Sequence, residues 1–155
     1  MGYNAIDLID KAINIATRKR TIYETIEKKS CNVPTLNVMS KVLIKEVDRL
    51  IEYYKSLKDE LKDKEIEEID FGIYDKMAFL INEFTKRVYV PEVNNVREYL
   101  IFSIELEEDI KSLFIDLQGR YVKNEGDTKT RTYELFAEII EHKTKYIEML
   151  KKAIK

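Results

Sequence analysis

Glu46, Glu107 and His142 are the residues whose types and spacing could do chemistry in this chain. Each interrupts a run of apolar residues three and four apart, the spacing of one buried helix face. Leu43, Glu46 and Leu50 belong to one such seam, Ser103, Glu107 and Ile110 to another, and Ile139, His142 and Tyr146 to a third. A fourth runs through Ala12, Ala16, Lys19 and Tyr23. A carboxylate in an apolar seam is costly unless it is paired, protonated or bound to metal. The three residues fall at similar heights, so they could meet on a common axis. Two carboxylates and an imidazole suit iron, manganese or zinc. The competing arrangement leaves each residue at a seam edge, reaching water or paired with a cation.

Four helical segments must position these residues. Breaks at Ser30–Pro34, Val90–Asn95 and Asn124–Thr128 divide the chain into Asn4–Lys29, Thr35–Lys64, Asn95–Lys123 and Thr128–Lys155. Pro34 favours a helical first turn, Asn94 or Asn95 can cap a helix, and Gly126 can end one. Two connections are short, which makes the first and second segments antiparallel neighbours, and likewise the third and fourth. Residues from Glu65 to Glu92 must cross between the pairs, with a short extra helix expected over Asp75–Arg87. The expected architecture is a single all-α domain over residues 1–155, two antiparallel helix hairpins joined by a long crossover. The halves also share a pattern: Ile13–Ile26 lines up with Ile104–Leu117, and Leu50–Leu57 with Lys143–Leu150, as a duplicated hairpin would.

The segments Ala12–Tyr23, Ser103–Asp109 and Phe136–Leu150 resemble helices of the ferritin-like superfamily, in particular its rubrerythrin-type members. The resemblance implies a ferritin-like four-helix bundle and two metal ions. These would be held by a Glu on each of two helices and a Glu-x-x-His on each of the other two. Carried over residue by residue, the ligand set is incomplete. Glu107 stands seven residues before Phe114, as the third-helix carboxylate does, but the corresponding residue before Tyr23 is Ala16. The second-helix motif has Glu46 with Arg49 in place of His, and the fourth has His142 with Ile139 in place of Glu. Glu138 is the nearest substitute carboxylate, because Glu141 points about 100° away from His142 on a helix. The remaining metal set is therefore Glu46, Glu107, His142 and Glu138, able to hold iron, manganese or zinc weakly. Lys19 and Arg49 lie within a turn of the lost metal position. Either could neutralise Glu46 or Glu107 in a salt-bridge cluster that replaces the metal centre.

Composition excludes several other classes. The chain is 45% hydrophobic and 36% charged, too apolar for a disordered chain and too charged for a membrane span. A net charge of −2 gives no pull toward nucleic acid. The single Cys31 forms no internal disulfide, and with no signal-peptide pattern at the N-terminus a cytoplasmic protein is expected. Nucleotide-binding loops and nucleophile elbows are absent. The expected function is that of a ferritin-like bundle without redox catalysis, a homo-oligomeric structural or interaction protein with no resident cofactor. Its self-association patch is expected at Ile51, Tyr54, Ile101 and Ile147, with an unidentified protein partner left open. A metal-binding oxidoreductase or peroxide scavenger is the alternative, and a helical adaptor unrelated to ferritins is the third candidate.

Overall fold

The computed structural model describes residues 2–154. Its architecture is all-helical, with helices α1 (Ala5–Lys29), α2 (Pro34–Leu61), α3 (Phe71–Arg87), α4 (Val96–Tyr121) and α5 (Arg131–Ile154). A 3-10 turn over Glu125–Lys129 precedes α5. None of the described helices is long and apolar enough to cross a membrane.

Local chemistry sets the helix ends. The Asn4 side chain accepts from the Ile6 amide, and Asp7 accepts from the Asn4 amide, closing a capping box at α1. Pro34 occupies the first turn of α2, where its missing N–H costs nothing. Asn95 caps α4 through the Glu98 amide. The crossover helix begins earlier than its apolar pattern suggests, because Asp70 caps it at the Ile73 amide. The last helix starts later than expected. Asn124 and Asp127 form their own capping box, which folds the next residues into the 3-10 turn, and the Thr130 hydroxyl then accepts from the Tyr133 amide.

Paired side chains reveal the directions of the helices. Asp10 binds Lys58, Arg20 binds Asp48 and Glu27 binds Lys41, so α1 and α2 run antiparallel. Lys19 meets Glu107 and Tyr23 meets Ser103, so α1 also runs antiparallel to α4. Glu107 with Lys143 and Gln118 with Tyr133 give the same relation between α4 and α5. The crossover helix α3 buries Met77, Ile81 and Phe84 against α1 and α4. Ahead of α1, the Tyr3 ring stacks on Tyr74 at 3.9 Å, and the Ile69 amide donates to the Tyr3 carbonyl at 2.8 Å.

The main apolar core runs through these elements, built on Ile9, Ile22, Ile26, Leu43, Ile110, Leu117 and Phe136, and a smaller cluster of Leu100, Ile104, Ile147 and Leu150 joins α4 to α5. The α1 and α4 seams are buried as their spacing predicts. The α2 seam is buried at Val47 rather than at Glu46, which lies one residue earlier. Likewise α5 buries Leu135, Ile139, Lys143, Ile147 and Leu150, while Met149 is half exposed. Of the residues expected on an outer association patch, Tyr54 and Ile147 are core residues and Ile51 is half-buried; Ile101 is exposed.

Candidate functional site

Glu107, in the middle of α4, has no exposed surface. Lys19 of α1 donates to its Oε2 at 2.7 Å and to its Oε1 at 3.1 Å. Lys143 of α5 donates to its Oε1 at 2.7 Å. Both lysine side chains are buried, so three helices converge on one sealed Lys-Glu-Lys cluster. Neighbouring aromatic groups enclose it. The Lys19 ammonium lies 5.9 Å from the centre of the Tyr146 ring, a cation–π contact. One turn earlier on α4, the Tyr23 hydroxyl donates to the Ser103 hydroxyl at 3.3 Å.

The electrostatics follow from this sealed geometry. Burial pushes the Glu107 carboxyl upward, but the Lys143 and Lys19 ammonium groups more than offset that and hold it at about 2. The carboxylate therefore stays ionised at neutral pH. Two ammonium groups for one carboxylate leave an excess positive charge in a low-dielectric region. The cost falls on Lys19: burial depresses it, Glu107 restores part of the loss, and Lys143 depresses it further, to about 7. Lys143 is held above its ordinary value, because attraction to Glu107 and nearby groups outweighs its burial.

The remaining candidates are dispersed around this centre. Glu46 turns to Arg49 on the exposed side of α2 and forms an ion pair with it. Glu138 accepts from the Tyr53 hydroxyl at 3.0 Å. His142 stacks on the Tyr53 ring with centroids 4.3 Å apart and planes 12° apart. Burial, followed by the charges of Lys143 and Lys19, lowers the His142 imidazole below its ordinary value. Among the described residues, no three His, Cys, Asp or Glu side chains gather around a position that could hold a metal ion. The expected convergence of Glu46, Glu107, His142 and Glu138 is thus not formed. The register explains why: Lys143, the residue after His142, occupies the inward position on α5, and Glu46 precedes the inward Val47 on α2. The residues also do not fit a metal by charge, since both oxygens of Glu107 already accept from ammonium groups that would repel a cation.

No family model, curated protein or solved structure matches this chain.

Lys19 was legible from the α1 spacing, and its carboxylate partner Glu107 from the α4 spacing. Lys143 was missed. The steps from Ile139 to Lys143 to Ile147 are helical repeats of four that could have shown it, but a lysine in a Lys-Thr-Lys run normally indicates a solvated face. A cavity of about 190 Å³ opens beside the cluster. Lys19, Glu46, Arg49, His142, Lys143 and Tyr146 face it, with Leu50 completing the wall. Cys31, in the link between α1 and α2, is exposed, with its thiol directed at the Asn32 side chain.

Proposed function

We propose that this chain is a ferritin-like four-helix bundle whose metal centre has been replaced by an ion cluster, and that it acts as a structural or interaction protein without redox catalysis. The observation that carries this reading is the double engagement of Glu107 by Lys19 and Lys143. Glu107 is the position that the rubrerythrin resemblance assigns to the metal-ligating carboxylate of the third helix. Two fixed ammonium groups there neutralise the carboxylate, take up three of its roughly four lone-pair directions and oppose a divalent ion by charge. The helix directions support the bundle assignment. With α1 antiparallel to both α2 and α4, and α4 antiparallel to α5, the α3 segment must return the chain along the bundle, as a long crossover does. Exposed Val38 and Val42 on α2, beside Val96 of α4, provide an apolar surface that supports self-association with a second copy.

A metal-binding oxidoreductase or peroxide-scavenging relative of rubrerythrin remains the second reading, favoured by Glu46 and His142 facing the same cavity. Metal analysis of untagged protein, as purified and after aerobic Fe(II) loading, separates the two. The cluster reading expects no stoichiometric iron, manganese or zinc. About one ion per chain, lost in Glu107→Ala, would establish the second reading instead. Sedimentation of the same samples tests self-association, with a dimer expected and a monomer at high protein concentration counting against it.

A further inference from the structure

The cavity beside the cluster has an unbalanced charge. Lys19 from α1, Arg49 from α2 and Lys143 from α5 provide three cations around it, whereas Glu46 from α2 and Glu107 from α4 provide two carboxylates. The uncharged groups facing it are His142 and Tyr146 of α5 and Leu50 of α2. Arg49 and Glu46 form a pair at the mouth, so the surplus belongs to the sealed end, where two ammonium groups share Glu107. Lys143 has three N–H bonds and directs one at Glu107, leaving donors for another acceptor. A volume of about 190 Å³ is several times the ~30 Å³ a water molecule occupies in the liquid. It is large enough for an anion of three or four heavy atoms.

We propose that this cavity is a binding site for one small monovalent oxyanion of carboxylate type, received by Lys143 and Lys19 at its base and by Arg49 at its mouth. A planar carboxylate presents two oxygens to such a set of donors and supplies the single missing negative charge. The site also has a built-in proton linkage. Without an anion, the surplus charge is relieved by loss of a proton from Lys19, which burial and Lys143 bring to about 7. An anion removes the reason for that loss, so its binding draws a proton onto the cluster. The proposal rests on the cationic reading of the centre given above, and the two fail separately, because stoichiometric metal would remove that reading whereas absence of anion binding removes only this one.

His142 is the single histidine of the chain and faces the cavity, so its ring-proton NMR resonance reports on this site alone. The probe is sodium formate. In the wild type the resonance should shift saturably. Lys143→Met should weaken the apparent affinity at least ten-fold, while Lys41→Met, an exposed lysine on α2, should leave it unchanged. Calorimetry at pH 8 in two buffers of different ionisation enthalpy should show net proton uptake approaching one per formate bound. A shift that stays linear in formate, or that is unchanged in Lys143→Met, would overturn the proposal. If Lys143→Met does not fold, the wild-type calorimetry decides, and saturable binding without proton uptake would overturn it equally.

Discussion

Lys143 and Glu107 lie 2.7 Å apart with both side chains closed to solvent, and Lys19 reaches the same carboxylate from the opposite helix pair. A buried ion pair is not by itself a large source of stability, because desolvating the charges offsets most of their attraction. Removing one member is a different matter. Glu107→Gln leaves two buried ammonium groups without their counter-charge, and a loss of about 3–5 kcal/mol in urea unfolding is expected. Replacing the whole cluster, with Lys19→Met, Glu107→Leu and Lys143→Met together, should restore stability to within about 1 kcal/mol of wild type or exceed it by up to about 4. A triple variant as unstable as Glu107→Gln would show that the charges themselves hold the helices together.

Stability should rise with pH above neutrality, which is unusual for a chain so rich in lysine. With Lys19 depressed to about 7 against an ordinary 10.5, the unfolded chain carries a proton there that the folded chain lacks between those values. Unfolding free energy then increases with pH in that window, by at most about 1.4 kcal/mol per unit. Denaturant midpoints measured at pH 7, 8 and 9 should climb in the wild type and stay flat in Lys19→Met.

The acid limb has the same sign, stability again rising with pH. Glu107 ionises at about 2 in the fold against an ordinary 4.5, so its contribution is complete above the higher value and is lost as pH falls toward the lower. Circular dichroism between pH 5 and pH 2 should show the wild type losing stability through that range more steeply than the triple apolar variant, which has no such carboxylate.

Arg49→Ala should change stability by less than about 1 kcal/mol, because its pair with Glu46 is largely exposed and joins neighbouring turns of one helix. Thermal melts of this variant beside Glu107→Gln would separate the surface pair from the buried one. Equal losses would mean that Arg49 also serves the buried cluster.

His142 should titrate below 6.5, since burial and the charges of Lys143 and Lys19 all oppose a further positive charge. Its NMR titration midpoint should rise in Lys143→Met. An unchanged midpoint would mean that the imidazole is isolated from the cluster by its stack on Tyr53.

Much of this arrangement was legible in the sequence, and the exceptions have a common cause. The α1 seam through Ala16, Lys19 and Tyr23 and the α4 seam through Ser103, Glu107 and Ile110 are buried as their spacing predicts. The errors on α2 and α5 are single steps. After Leu43 the inward position is Val47 rather than Glu46, and after Ile139 it is Lys143 rather than His142. Helical repeats of three and four both return to the same face, and near the middle of a seam the choice between them depends on what lies opposite. For Lys143 that is Glu107, 36 residues away on another helix, so nothing adjacent to the lysine marks it as buried. The late start of α5 was hidden differently, in the reciprocal hydrogen bonds of Asn124 and Asp127.

The contacts that tie Tyr3 to Ile69 and to the Tyr74 ring also determine where mechanical load would travel. A pull applied ahead of α1 would act first on the crossover, through one backbone hydrogen bond and one aromatic stack. The cluster around Glu107 lies deeper, behind the ladder of pairs from Asp10–Lys58 to Glu27–Lys41. Under tension the connection between the helix pairs would therefore yield at low force while the charged centre stayed closed. Strain at the amino end would loosen the scaffold's seam before its interior.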